Sequence, residues 1–242
     1  MYRYRSFFEQ FIRFLRGLSH LLYPDLCLHC QRTLQQKSPF LCYACLSKIE
    51  LVKWREEEVH HLLEQSVKPP YLFSSCVLYS FEKGSPVQTI LHELKYKNNR
   101  EIGLYFGRLI GSEVKRKEPS QIIDALIPVP VHHRKRFDRG YNQSDLLARG
   151  ISSVTAVPVK TGLLSKTRNT KSQTKLSKEE RRENIIGTFT VSEEIKNYTS
   201  IALVDDVVTT GSTVSAICDV LREKNENLQI AIFSLSIANN NS

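Results

Sequence analysis

Two adjacent carboxylates stand directly before a run of hydroxyl residues in the stretch LVDDVVTTGST, which covers residues 203–213. Asp205 and Asp206 end an apolar run that is typical of a buried strand. Apolar residues at 214, 217, 218 and 221 then follow the spacing of a core-facing helix. Residues 207–213 are therefore predicted to form the turn between strand and helix. Gly211 permits a tight backbone there, and Ser212 or Thr213 is expected to cap the helix.

A sugar phosphate suits this arrangement of groups. Hydroxyl side chains at a helix N-terminus form a cradle for phosphate, while carboxylates accept hydrogen bonds from vicinal hydroxyls. A ribose 5-phosphate has both parts, and a divalent cation would relieve the repulsion between Asp205 and Asp206. The stretch matches neither the P-loop nor the G-x-G-x-x-G pattern. The alternative is a capped helix after a strand, with an incidental pair of acids.

Four of the six cysteines form two Cys-x-x-Cys pairs, with eleven residues between the pairs. Paired motifs of this kind bring four thiolates around one zinc ion. Two disulfides in an exported protein are the alternative, and a redox function for one pair is a further option. The predicted structural zinc ligands are Cys27, Cys30, Cys42 and Cys45.

Residues 1–24 combine apolar residues at near-helical spacing with several arginines. Glu9, Arg13 and Arg16 interrupt the apolar stretch, and no small-residue cleavage site follows, so export is not expected. No apolar run is long enough for a transmembrane helix. We therefore expect a cytoplasmic protein, where zinc is favoured over disulfides. The predicted helix either packs onto the rest of the protein or lies on a membrane surface, which would recruit the protein to the inner face of the membrane.

Short β-branched runs alternate with helical patterns in the rest of the chain. Strands are expected at 76–81, 125–131, 187–192, 200–206 and 229–238, and helices at 87–96, 103–114, 146–151 and 214–224. This alternation predicts an α/β domain with a largely parallel sheet flanked by helices, in which ligands bind at the carboxyl ends of strands. The predicted domains are an N-terminal helix with the four-cysteine module (1–50), a connecting helix (51–70) and the α/β domain (71–242).

The net charge of +9 and the pI of about 9.3 favour an anionic partner. Residues 132–139 carry four Lys/Arg against one Asp, and residues 166–184 carry seven against three Glu. The net charges of the two segments are +3 and +4, so together they account for +7 of the net charge of +9. Both are predicted to be loops or loop-flanked turns and not the solvated face of one helix, and they either bind an anion or are simply solvated.

LVDDVVTTGST resembles the phosphoribosyl pyrophosphate (PRPP) motif of type I phosphoribosyltransferases, and the whole chain resembles the ComF (ComFC) competence family. Further matches are LKY at 94–96, PVPVHHRKRFDRGYNQ at 128–143, RNTKSQTKLSKEERRENIIGTF at 168–189 and the four-cysteine module. The resemblance implies a type I phosphoribosyltransferase-like fold with a small N-terminal zinc-ribbon-like module.

The resemblance also implies residue functions. Asp205 and Asp206 would bind the ribose hydroxyls of PRPP, which is accompanied by Mg²⁺. The PRPP-binding turn would consist of Val207, Val208, Thr209, Thr210, Gly211, Ser212 and Thr213. Basic residues would stabilise the departing pyrophosphate or bind nucleic acid, with residues 168–182 as a mobile hood. These candidates are Arg134, Arg136, Arg139, Lys171, Gln173, Arg181 and Arg182. For catalysis the candidates are Asp205, Asp206, Arg134 and Arg168.

Two functions from different classes follow from the resemblance. In the first, the protein is a PRPP-binding component of DNA uptake during natural transformation, which handles single-stranded DNA at the cytoplasmic side beside a helicase-like partner. Phe137 and Tyr141, among basic residues, would suit base stacking. In the second, it is a phosphoribosyltransferase that transfers ribose 5-phosphate from PRPP to an amine or nucleobase. A zinc ribbon that only binds a protein partner accounts for the first 50 residues alone.

Overall fold

The computed structural model describes residues 24–34, 39–52, 63, 72–117, 122–167 and 187–238. The chain divides into two compact units, Met1–Ile49 and Glu50–Ser242. The helix predicted over residues 1–24 lies outside the described residues, except for Pro24. The connecting helix predicted over residues 51–70 also lies outside them, except for Leu51, Val52 and Leu63.

The described elements alternate between strands and helices along most of the chain. The strands are β1 (Leu72–Phe81), β2 (Ala125–Pro128), β3 (Leu164–Lys166), β4 (Phe189–Val191), β5 (Ser200–Val208) and β6 (Gln229–Ala238). The α-helices are α1 (Tyr43–Leu46), α2 (Pro86–Tyr96), α3 (Arg100–Lys117), α4 (His133–Arg139), α5 (Gln143–Thr155) and α6 (Ser212–Lys224), with a 3₁₀ turn at Glu193–Asn197.

Four strands form the main sheet, in the order β1-β6-β5-β2, and all their pairings are parallel. Asp205 lies beside Ser234 of β6, and Val204 lies beside Pro128 of β2. Both β5 and β6 are buried along nearly their whole length, because helices cover parallel sheets on both faces. The predicted fold class, a largely parallel sheet flanked by helices, is confirmed.

A second, two-stranded sheet pairs β3 with β4 in antiparallel orientation. The Thr167 N–H donates to the Thr188 carbonyl at 2.8 Å, which extends this pairing. Residues 168–186, between the two strands, lie outside the described part of the chain. Arg168, Lys171, Gln173, Arg181 and Arg182 therefore lie outside it as well, and the hood remains a prediction. β4 was predicted from sequence, whereas β3, at three residues, is too short for a periodic pattern.

The basic segment 132–139 was predicted to be a loop, and this prediction is wrong. Residues His133–Arg139 form α4, which buries none of its side chains. The helix begins because the Nδ1 of His132 accepts a hydrogen bond from the Arg134 N–H at 3.3 Å. It ends at Gly140, whose φ of 74° is the left-handed conformation that glycine adopts without strain. An exposed helix has no apolar stripe, so periodicity could not reveal it.

Helices α3 and α5 cross with almost no space between their backbones. A Cβ at Gly107 would lie 2.3 Å from the Leu147 carbonyl oxygen and 2.8 Å from the Gly150 Cα. A Cβ at Gly150 would lie 2.5 Å from the carbonyl oxygen of Leu104. Only glycine fits at this crossing, so α5 packs directly against the backbone of α3. Within the described residues, no helix combines the length and apolar character needed to cross a bilayer.

Candidate functional site

The acid pair lies near the carboxyl end of β5, a central strand of the main sheet. The strand continues through Val207 and Val208, two residues further than predicted, and residues 209–211 form the turn before α6. Gly211 occupies the N-cap position of α6 with a φ of 71°, and it provides no side-chain cap. The predicted capping by Ser212 or Thr213 is therefore wrong.

The turn holds its hydroxyl groups close together. Thr210 Oγ1 and Ser212 Oγ are hydrogen-bonded at 2.8 Å, across the glycine that separates them in sequence. Thr213 follows within the first turn of α6, and Thr209 precedes the pair. Because the N-cap residue Gly211 has no side chain, it leaves the N–H groups of the first turn of α6 without a side-chain cap of its own. The arrangement presents hydroxyls and backbone N–H groups from one short segment, which is suited to an anion.

Asp205 is anchored to the first turn of α5. Its Oδ1 accepts hydrogen bonds from the Ser144 hydroxyl at 3.2 Å and from the Asp206 N–H at 2.8 Å. The α5 N-terminus is itself fixed by Asn142, whose Oδ1 accepts from the Ser144 N–H at 3.3 Å. The Asn142 amide also donates to the Val129 carbonyl at 3.0 Å, just beyond β2. The NQS sequence at 142–144 therefore connects α5 to the end of two strands.

Asp206 forms an ion pair with a lysine that we did not predict as a site residue. The Lys95 Nζ lies 2.8 Å from Asp206 Oδ2, and the side chains are only 23% and 11% exposed. Lys95 belongs to the LKY sequence in the last turn of α2. That motif was noted as a family match, and it was the signal that could have identified this residue.

The surroundings of the acid pair shift the pKa of Asp205 and that of Lys95. Burial and the negative charge of Asp206 raise the pKa of Asp205 from 3.8 to about 7, despite the opposing effects of its hydrogen bonds and Lys95. Burial works to lower the pKa of Lys95, but the ion pair with Asp206 outweighs it, and the pKa is raised. Near neutral pH, Lys95 is thus charged while Asp205 is close to half-protonated.

Of the three arginines predicted as pyrophosphate or nucleic-acid ligands in residues 132–139, Arg139, at the end of α4, is the one whose charge acts at the acid pair. Its guanidinium donates to Gln143 Oε1 at 2.9 Å and lies 5.3 Å from the centre of the Tyr96 ring. Its charge also acts to lower the pKa of Lys95. Arg134 and Arg136, on the same helix, are exposed, and no contact joins them to the acid pair within the described residues.

The aromatic residues near α4 have different environments. Phe137 is 89% exposed, so its ring is available to a ligand. Tyr141 is only 7% exposed, and its hydroxyl donates to the Leu94 carbonyl at 2.6 Å. Arg100 covers its ring at 5.4 Å from the centre. The prediction that Tyr141 stacks on bases is wrong, because the residue is part of the packing between α2 and α5.

Lys166 and His132 are two further titratable residues near the site. Lys166 lies on β3, near enough for its charge to act on Asp205, and its Nζ is 5.3 Å from the centre of the Phe189 ring. Burial and the neighbouring Lys135 lower the pKa of Lys166. His132 is buried at the start of α4, and burial followed by the adjacent His133 lowers its pKa. His132 therefore acts as a neutral helix cap.

The four cysteines of the first unit converge on one point. Their sulfur atoms all lie within 4.8 Å of one another, with Cys30 and Cys42 at 3.6 Å, and none of the six cysteines forms a disulfide. Four thiolates at about 2.3 Å from a zinc ion would lie about 3.8 Å apart, so the cluster fits a tetrahedral metal. The cluster therefore can hold one metal ion, as structural zinc requires.

The backbone presents these thiols in two ways. Cys27 and Cys30 lie on a tight hairpin in which the Cys27 N–H donates to the Arg32 carbonyl and the Gln31 N–H donates to the Cys27 carbonyl. Cys42 is the N-cap of α1, and Cys45 lies within it. Burial works against the Cys27 thiolate, but backbone N–H groups outweigh it and lower its pKa to about 6. Burial and the other three thiols raise the pKa of Cys45.

Several curated proteins are similar to this chain. It is 32% identical over 213 residues to "Competence protein F" of Haemophilus influenzae, covering 86% of this chain and 89% of that protein. It is 26% identical over 226 residues to "Competence protein ComFC" of Bacillus subtilis (89% and 86%). The match to "DNA utilization protein YhgH" of Escherichia coli O157:H7 is 35% over 139 residues, but covers only 56% of this chain and 61% of that protein. No protein-family model matches the chain.

Proposed function

This chain belongs to the ComF family, and we propose from that premise that it acts in DNA uptake and binds PRPP at the acid pair and the turn after it. The names of its relatives, which refer to competence and to DNA utilization, support the first part. One observation carries the second: Asp205 and Asp206 lie side by side on β5, and the short turn that follows leads to the N-terminus of α6, where the N-cap is Gly211.

The acid pair supports binding of the ribose hydroxyls. The two carboxylates have different neighbours, since Asp205 accepts from the Ser144 hydroxyl and Asp206 pairs with Lys95. Each carboxylate has about four lone-pair sites, so each can accept a further hydrogen bond. Two acceptors on consecutive residues match the vicinal 2- and 3-hydroxyls of a ribose.

The turn supports binding of the 5-phosphate. Thr209, Thr210, Ser212 and Thr213 supply hydroxyls within five residues, and Gly211 lets the backbone turn between them. A phosphate at the N-terminus of α6, a helix of 13 residues, would also be stabilised by the helix dipole. Lys166, Arg139 and the residues predicted for the hood would stabilise the pyrophosphate, which Mg²⁺ accompanies.

We further propose that zinc occupies the four-cysteine cluster, where it would have a structural role. All four ligands are thiolates, so no position remains for a reacting water molecule. A site of this type stabilises a small unit that has little core of its own. The metal would thus support the fold of the first unit, not the chemistry at β5.

Single-stranded DNA is the nucleic acid that we propose as partner. Phe137 is largely exposed on α4, and Arg134, Lys135 and Arg136 flank it on the same short helix. Exposed aromatic and basic residues together bind single strands through stacking and charge, with little sequence preference. A helicase-like partner at the cytoplasmic side belongs to the same proposal. Transfer of ribose 5-phosphate from PRPP to an amine or nucleobase is the alternative activity.

Isothermal titration calorimetry of PRPP with Mg²⁺ tests the site. We expect the wild-type protein to bind, and the Asp205→Asn/Asp206→Asn variant to bind at least about a hundredfold more weakly, since two charged acceptors are lost. Asp219→Asn, an exposed acid on α6, is the matched control and should bind like the wild type. Equal binding by the double variant would exclude the acid pair as the ribose site. Product analysis with panels of amines and nucleobases separates an enzyme from a binding protein.

A further inference from the structure

Lys95 is a charged group at the acid pair whose role the proposed function leaves open. It reaches Asp206 from the last turn of α2, at 2.8 Å, and both side chains are largely buried. Asp205, in contrast, accepts hydrogen bonds from two uncharged donors among the described residues, the Ser144 hydroxyl and the Asp206 N–H. Within the described part of the chain, Asp206 therefore has a counter-ion in direct contact, whereas Asp205 has positive charges nearby but no direct ion pair.

This difference determines which ligands the pair can take. Divalent cations such as Mg²⁺ and Mn²⁺ bind where several carboxylate oxygens present uncompensated negative charge. The ammonium group of Lys95 already holds Asp206 Oδ2, reduces the charge of the pair from −2 to −1, and repels any incoming cation. Arg139 adds a second positive charge nearby, since its charge acts on Lys95. A hydroxyl group, by comparison, needs only a free lone pair on the carboxylate.

We propose that Lys95 is a specificity-determining residue, a built-in counter-cation that keeps divalent metal off Asp205 and Asp206 and leaves them as acceptors for neutral vicinal hydroxyls. The part that concerns hydroxyls rests on the proposed function, whereas the exclusion of metal is a property of the ligand-free protein. Any Mg²⁺ that arrives with a phosphorylated sugar is then held by the ligand's own phosphate oxygens.

The opposing explanation is that Lys95 has only a structural role, in which its ion pair holds α2 against the end of β5. In that case its replacement would lower stability without creating a cation site. The Lys95→Met variant separates the two explanations, because methionine retains much of the apolar stem and removes the charge. Lys95→Arg keeps the positive charge and serves as the conservative variant. Lys97→Met removes an exposed lysine two residues away and is the matched control.

The experiment measures Mn²⁺ binding to the zinc-loaded, full-length protein by electron paramagnetic resonance, without PRPP, at about pH 8, where Asp205 is ionised. Mn²⁺ prefers oxygen ligands, so it does not compete for the four-cysteine cluster. We expect no site dependent on Asp206 in the wild type, Lys95→Arg or Lys97→Met. We expect Lys95→Met to gain one Mn²⁺ site, at least about tenfold tighter than any in the wild type, and to lose it when Asp206→Asn is added.

Two results would overturn the inference: Mn²⁺ binding by the wild type that Asp206→Asn removes, or a folded Lys95→Met variant that gains no Mn²⁺ site. Circular dichroism establishes whether the variant is folded, and Lys95→Gln replaces it if it is not. Failure of the wild type to bind PRPP, together with the expected Mn²⁺ results, would instead remove the proposed function and leave the metal exclusion intact.

Discussion

The Ser144 hydroxyl donates a hydrogen bond to the Asp205 carboxylate at 3.2 Å, across 61 residues of sequence. This contact joins the first turn of α5 to the end of β5, and Asn142 extends the connection to the residue after β2. A ligand at the acid pair therefore meets a carboxylate whose position depends on how α5 packs. The site is an assembly of three chain segments and is not confined to the turn after β5.

The raised pKa of Asp205 predicts opposite pH dependences for stability and for ligand binding. Its pKa rises from 3.8 to about 7 on folding, so its contribution to stability is fully present below 3.8 and is lost as pH rises through about 7. Asp206, Lys95 and Lys166 act on the same carboxylate. Binding of a sugar hydroxyl needs the charged form, so PRPP affinity should increase through that pH range.

The Asp205→Asn variant tests both pH dependences, that of stability and that of PRPP binding. At about pH 8 we expect a melting temperature about 2–8 °C above the wild type, equivalent to about 1–2 kcal/mol after allowance for partial exposure, and little difference near pH 4. PRPP binding should be strongly reduced at every pH. Thermal melts at a series of pH values, with Asp219→Asn as control, measure the first effect. A variant that is less stable than the wild type at pH 8 would contradict the assignment.

The crossing of α3 and α5 makes a second prediction. Gly107→Ala forces a Cβ to within 2.3 Å of the Leu147 carbonyl oxygen, so the helices must move apart. We expect a loss of about 1–3 kcal/mol in the free energy of unfolding, measured by urea denaturation. Movement of α5 would also displace Ser144 and weaken PRPP binding. Gly162→Ala, where a Cβ would meet nothing within 4 Å, should change neither quantity.

The parallel sheet could be predicted because its strands are buried on both faces and read as apolar runs, as 200–208 and 229–238 show. Helix α4 could not, because its start depends on the His132 side chain and its residues have no apolar face. The LKY match could have marked Lys95 as a site residue, but not its partner, because Asp206 lies more than 100 positions further along the chain. The ion pair depends on how α2 packs against β5, which no local pattern encodes.

Metal content tests the four-cysteine cluster. Protein purified without added metal should contain about one zinc ion per chain, as expected for a closed four-thiolate site. Cys42→Ser should lose most of the metal, whereas His29→Ala, which changes the residue between Cys27 and Cys30, should retain it. Atomic absorption spectroscopy measures both. Full zinc content in Cys42→Ser would show that the ligand set is different from the one proposed.

The exposed face of α4 predicts how single-stranded DNA binds. Phe137→Ala should weaken binding by about 1–3 kcal/mol, which is the contribution of one stacked base. Arg134→Ala/Arg136→Ala should weaken it and also flatten its salt dependence, because fewer phosphate contacts release fewer counter-ions. Fluorescence anisotropy with a labelled oligonucleotide at several salt concentrations measures both effects.

Ile122→Ala, which removes an exposed apolar side chain outside α4, is the control and should bind as the wild type does. Affinity that does not depend on salt, or that survives both α4 variants unchanged, would rule out this face as the DNA contact.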